Sequence, residues 1–136
     1  MAFAIKAVVL NGQAGTFAFN AQKTMYGGKL IAKGATIFVF ASENQGGAGL
    51  IARGIVTHVK AIAKKRGVKR QTPRVSITFR RTAVAKRVLG RRELKDFTSW
   101  KDGRPETELN FKFYRQATNK IIGISESAAS FLNACF

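Results

Sequence analysis

The chain has 136 residues, 46% of them hydrophobic, and carries 24 Lys or Arg against seven Asp or Glu, a formal net charge of +17. That length fits a single domain, 1–136, with enough apolar residues for a core. One cysteine and one histidine exclude an intrachain disulfide and a zinc ligand set, and no stretch reaches the roughly 18 apolar residues of a spanning helix. The expected setting is therefore a reducing cytoplasm, with no membrane and no cofactor.

In chain order, Ala2–Leu10 reads as a first strand closed by Asn11-Gly12. Asn20–Tyr26 reads as a short helix, with Asn20 as its N-cap and Gly27-Gly28 past its end. Thr36–Ala41 is a run of β-branched and aromatic residues without charge, which predicts a strand buried on both faces. The turn Gln45-Gly46-Gly47-Ala48-Gly49 supplies residues that tolerate positive φ and joins that strand to a second one, Leu50–Lys60. Arg53-Gly54 interrupts this partner, as expected of a bulge or a close backbone approach. Residues 64–74 have no apolar period and predict an exposed basic loop. Val75–Arg80 alternates, with Val75, Ile77 and Phe79 on one face. Ala83–Leu89 fits a helix or a strand. Glu93–Phe97 reads as a helical turn. Leu109–Tyr114 alternates and predicts a strand with Leu109, Phe111 and Phe113 inward. Ile121–Ile124 is a last strand. Ser125 caps a terminal helix that places Ala128, Phe131, Leu132 and Cys135 on one face. The sum is an α+β fold, a small mixed sheet curled into a barrel with short helices.

Enzymatic signals are poor. His58 sits in a strand pattern and reads as a structural or surface residue. Cys135 falls on the inward face of the terminal helix and reads as packing. The acids are few and scattered. Gly46-Gly47-Ala48-Gly49 lacks the strand-to-helix setting of a dinucleotide loop and reads as a hairpin turn.

The charge is distributed unevenly. Between Arg53 and Arg92 there are 14 basic residues and no acid, and six of the seven acids lie at or beyond Glu93. A one-signed block of this density seeks phosphates, so Arg53, Lys64, Lys65, Arg66, Lys69, Arg70, Arg74, Arg80 and Arg81 are the expected phosphate contacts. Trp100, the sole tryptophan, lies in a polar segment; it reads either as a platform for stacking a base or as a lid over one end of the barrel. In Tyr114–Lys120, Arg115 offers a fork to phosphate or base, and Gln116 and Asn119 can read a base edge; the same residues also make an ordinary polar turn. An aromatic wall, amide groups and a basic rim are what a pocket for an extruded base requires.

Four segments in order resemble the EVE domain of the PUA-like superfamily, a relative of YTH domains. They are Gly34-x-x-Ile37-Phe38-x-Phe40-x-Ser42; Gly49-Leu-Ile-Ala-Arg-Gly-Ile-Val; Glu93-Leu94-Lys95; and Arg115-Gln116 followed by Ile122-Gly-Ile-Ser125 and a helix. Ala35 and Ala41 stand where the family usually has Asp and His, and the family's opening Tyr-Trp-Leu is missing. The resemblance implies a PUA-like pseudo-barrel with a non-catalytic pocket for a modified base of DNA or RNA. Phe40 and Ser42 would line that pocket, with Arg115 and Gln116 at its rim; Trp100, Tyr114 and Asn119 are added from the residues themselves. The expected function is a nucleic-acid-binding module that reads a modified or flipped base. The alternative is an assembly protein that docks its basic surface on a ribonucleoprotein or an acidic protein partner.

Overall fold

The computed structural model describes residues 1–116 and 118–136. The strands are β1 (Ala2–Ala7), β2 (Thr16–Met25), β3 (Thr36–Ala41), β4 (Gly49–Ala61), β5 (Arg74–Val84) and β6 (Lys120–Ile124). They close into a barrel in the order β1-β3-β4-β5-β2-β6. β1 pairs parallel with β3, and β2 parallel with β6; the other ladders are antiparallel. The helices are α1 (Arg91–Leu94), α2 (Pro105–Leu109), which runs on as a π-helical turn over Asn110–Tyr114, and α3 (Glu126–Asn133).

Two apolar layers explain the strand patterns. Phe3, Ile5, Ile37, Val39, Val75, Ile77, Phe79 and Ile121 fill the barrel. Ala4, Phe38, Phe40, Ile122 and Ile124 face outward and pack with Leu94, Leu109, Phe113, Ala128 and Leu132. The helices therefore cover the outside of β1, β3 and β6. That cover is why Thr36–Ala41 carries no charge on either face, as expected of a strand buried on both sides. β5 is covered on one side only and alternates, with Val75, Ile77 and Phe79 buried.

The register slips between Arg53 and Gly54, the predicted bulge. A Cβ on Gly54 would lie 2.5 Å from the Arg80 carbonyl oxygen, so only glycine lets the strands approach there. The expected cap is also present, with Ser125 accepting from the Ala128 N–H. Residues 62–73 form the exposed connection between β4 and β5.

Two expected elements are corrected. Asn20–Tyr26 is not a helix. Gln22 and Lys23 pair with Val75 and Arg74 on β5, and Thr24 and Met25 with Ile121 and Ile122 on β6. The bulge between Phe19 and Gln22, with Ala21 at φ 48°, turns β2 from one neighbour towards the other and closes the barrel. Leu109–Tyr114 is not a strand. It continues a helix that starts at Pro105, a favoured first helical position. Leu109 and Phe113 meet the core at helical spacing, while Phe111 is only partly buried. The β1 strand ends at Ala7 rather than Leu10, and the undecided Ala83–Leu89 splits, with β5 ending at Val84.

Candidate nucleic-acid interface

The parallel β1–β3 pair and the antiparallel β6 bring the ends of β1 and β3 and the start of β6 to one mouth of the barrel. The Ser42 N–H donates to the Ala7 carbonyl at 2.9 Å, and the Ser42 carbonyl accepts from Gln45 and Gly47. Glu43 organises the site. One carboxylate oxygen accepts from the Arg91 N–H at 2.6 Å and the other from the Tyr114 hydroxyl at 3.1 Å. Arg91 also donates to Asn44 Oδ1, and Asn119 Nδ2 to Gln45 Oε1. Ser42, Asn44, Gln45 and Asn119 line a shallow polar hollow.

Beneath it lie two buried lysines. Lys6 Nζ donates to the Phe113 carbonyl at 2.8 Å and sits 5.1 Å from the centre of the Tyr114 ring. Lys120 Nζ donates to the carbonyls of Gln116 and Thr118. Burial lowers the pKa of Lys6, against the opposing pull of the Glu43 charge. Burial, with the Lys6 charge added, lowers that of Lys120 to about 8. Burial and then the Glu43 charge raise the Tyr114 phenol.

Of the residues expected at a base pocket, Ser42, Tyr114 and Asn119 come together at this mouth. Gln116 is exposed and tied to it through its carbonyl on Lys120; its neighbour Ala117, within the same polar segment, lies outside the described residues. Phe40 is corrected. It is 0% exposed and packs on Phe113 with ring centres 5.0 Å apart, so it is core behind the mouth and not a wall. Trp100 lies elsewhere, in a second hollow with Tyr26, Arg104, Thr107, Glu108, Phe111 and Lys112, which shares no lining residue with the first. Arg115 stacks on Phe111, 4.8 Å from the ring centre, and so sides with Trp100's hollow.

The expected phosphate contacts divide as well. Lys64, Lys65, Arg66, Lys69, Arg70 and Arg74 are all exposed. Lys64, Lys65, Arg70 and Arg74 join Lys23 around a hollow in the β4–β5 connection. Gln71 holds that connection in shape, accepting from the Lys65 N–H and donating to the carbonyls of Lys65 and Val68. Arg80 is exposed on β5. Two of the expected contacts are corrected in part. Arg53 donates to Asn133 on α3 at 2.8 Å and lies 5.0 Å over the Phe136 ring, anchoring that helix. Arg81 is half-buried, and its Nη1 is enclosed without a hydrogen-bond partner.

Sequence reasoning missed Lys6, Lys23, Tyr26, Glu43, Arg91 and Lys120. The available signal was a lysine inside an apolar strand, since a buried ammonium has to find partners. Among the described residues no group of His, Cys, Asp or Glu is placed to hold a metal ion, and no helix is long and apolar enough to cross a membrane.

Solved structures give the same barrel. The DUF55 domain of human thymocyte nuclear protein 1 superposes with a TM-score of 0.65 at 12% identity, covering 98% of this chain and 97% of that one. Human THYN1 in complex with 5-methylcytosine-containing DNA gives 0.64 at 14% identity, covering 97% and 95%. The fold is EVE-like. A Pseudomonas putida protein matches this EVE-like barrel with a TM-score of 0.66 at 12% identity, covering 99% of both chains. The closed mixed barrel with short helices is thus the PUA-like architecture expected from the motifs. No family model and no curated protein matches the sequence itself.

Proposed function

We propose that this chain is a non-catalytic nucleic-acid-binding module, with the basic β4–β5 connection holding the phosphate backbone and the barrel mouth reading a modified or flipped base. The observation that carries the reading is the ring of Lys23, Lys64, Lys65, Arg70 and Arg74 around one hollow with no acid lining it. Such a cluster binds polyanions by releasing counterions. The mouth supports the finer part: Ser42, Asn44, Gln45 and Asn119 gather a hydroxyl and amide groups around one hollow, the kinds of group that read a base edge. Human THYN1, which shares the fold, is known in complex with 5-methylcytosine-containing DNA. The buried, free Cys135 fits a cytoplasmic setting.

The test is a salt-series titration with single- and double-stranded DNA and RNA, unmodified and carrying common base modifications. The reading requires affinity that falls steeply with salt, and a preference for one modified base that disappears in Asn119→Ala. Tight binding without preference, sensitive only to charge reversal within residues 64–74, would favour docking on a ribonucleoprotein instead. Absence of binding at low salt would sink the nucleic-acid reading.

A further inference from the structure

The hollow around Trp100 is a second site that the barrel-mouth reading does not use. Trp100 is 68% exposed and Tyr26 45% exposed, unusually open for large aromatic side chains. Tyr26 stands at φ 52°, in a left-handed conformation that few non-glycine residues adopt. Its carbonyl accepts from the Gly123 N–H, which fixes this turn of backbone against β6. Phe111 completes the wall from the π-helical turn.

Each ring has a cation over it. Lys101 Nζ lies 4.9 Å from the Trp100 ring centre, Lys112 Nζ 5.4 Å from that of Tyr26, and the Arg115 guanidinium 4.8 Å from that of Phe111. Arg104 adds a further positive group to the lining. The one acid in the lining, Glu108, is engaged: Lys112 Nζ and the Ser125 N–H donate to one oxygen and the Ser125 hydroxyl to the other, while neighbouring Asp102 accepts from the Arg104 N–H and the Thr107 hydroxyl. An aromatic cage for a methylated ammonium needs a free anionic or π-rich wall without competing cations. This hollow has the opposite balance, aromatic faces with an excess of positive charge. Flat π-systems joined to anions match it, and an unpaired nucleotide is such a ligand.

We infer that the Trp100–Tyr26–Phe111 hollow is a stacking site for an unpaired nucleobase, with Lys101, Arg104 and Arg115 taking the flanking phosphates. The inference rests on the nucleic-acid reading but not on the barrel mouth. It gives the chain a second contact on the same strand and a preference for single-stranded or frayed ends.

Trp100 is the only tryptophan, so its fluorescence reports this site alone. A short oligothymidylate, a blunt duplex of equal length and a trimethyl-lysine peptide are titrated, with anisotropy of the labelled ligand recorded in parallel. The expected result is quenching by the single strand and little by the duplex. Trp100→Ala should then lower single-strand affinity about 10-fold or more, at an unchanged salt slope, because stacking is lost and no phosphate contact is. Trp100→Phe should recover most of it. Trp100 is exposed, so the variants keep the fold, which a melting curve checks. Anisotropy that rises without quenching, and equally in Trp100→Ala, overturns the stacking site and leaves the nucleic-acid reading standing. Equal quenching by the duplex overturns the preference for unpaired bases. Quenching by the peptide alone makes the hollow a cation cage. No anisotropy change with either nucleic acid at low salt removes both readings together.

Discussion

Lys6 and Lys120 stand opposite each other in the β1–β6 ladder, 1% and 0% exposed, and both ammonium groups end on main-chain carbonyls between Phe113 and Thr118. Two like charges share one buried place, held by carbonyl dipoles and by the Glu43 carboxylate near Lys6. This arrangement fastens Phe113, Gln116 and Thr118, between the π-helical turn and β6, to the barrel at the mouth where Ser42, Asn44, Gln45 and Asn119 gather.

It makes stability depend on pH in a defined direction. Lys120 has its folded pKa lowered from 10.5 to about 8, chiefly by burial. Between those values the unfolded chain holds a proton that the folded chain has released, so this group's contribution to stability rises with pH across that window. Below about pH 8 the folded protein keeps a costly buried charge. Urea unfolding at several pH values should show wild type gaining on Lys120→Met between pH 8 and 10.5, by up to about 3 kcal/mol if the whole shift is expressed. A constant difference across that window would show that Lys120 is solvated.

Phe40→Ala tests the core and not the mouth. Removing a ring that is wholly buried against Phe113 should cost about 3–5 kcal/mol. Nucleic-acid affinity of the remaining folded fraction should stay within a few-fold of wild type. A variant of unchanged melting temperature with lost binding would return Phe40 to the pocket wall.

Gln71→Ala removes three hydrogen bonds that shape the basic connection without touching a charge. The melting temperature should barely move, because Gln71 is only partly buried and the residues around it in the 62–73 connection are exposed and lie outside the barrel strands. Affinity for a polyanion should fall about 5-fold, the worth of roughly 1 kcal/mol of lost preorganisation. The slope of log affinity against log salt should remain, since every lysine and arginine is still present. A reduced slope would mean that Gln71 governs how many phosphates are reached.

Glu108 joins three elements, accepting from Lys112 on its own helix and from Ser125 at the start of α3, while Lys112 also donates to the Gly123 carbonyl of β6. Burial pushes its carboxyl up, but the hydrogen bonds from Ser125 and the Lys112 charge outweigh this and hold it below 4.5. A depressed carboxyl contributes stability above its unfolded pKa and loses it as the pH falls through the folded value. Acid unfolding of Glu108→Gln should therefore show a flatter pH dependence below about 4.5 and a loss at neutral pH of about 1–3 kcal/mol. Identical acid profiles would remove Glu108 from the linkage.

Much of this fold is legible in local pattern. The uncharged run Thr36–Ala41, the alternation of Val75–Phe79, the Ser125 cap and the Arg53-Gly54 bulge each follow from one strand or one helix end. The misreadings come from tertiary demands. Gln22–Met25 are strand residues because β5 and β6 pair with them, which no local propensity declares. Leu109, Phe111 and Phe113 mimic a strand because a helix can also bury the first and third and leave the second half-exposed. The site was legible in part: Ser42, Tyr114 and Asn119 are neighbours at the mouth, yet residues far apart in sequence, Lys6, Glu43 and Arg91, complete it. Trp100 stands out in the sequence by its isolation among polar residues, but the Tyr26 ring that shares its hollow depends on how β2 meets β6.

β1 is sealed on one side by β3 and on the other only by β6. More than a hundred residues separate β1 from that second partner, so a chain leaving the ribosome displays an apolar, unpaired edge until Lys120–Ile124 emerges. Pairings of such long range also slow the search for the native state, because loop closure has to precede the contacts that reward it. Refolding should therefore be slow for a domain of this size and prone to association at high protein concentration.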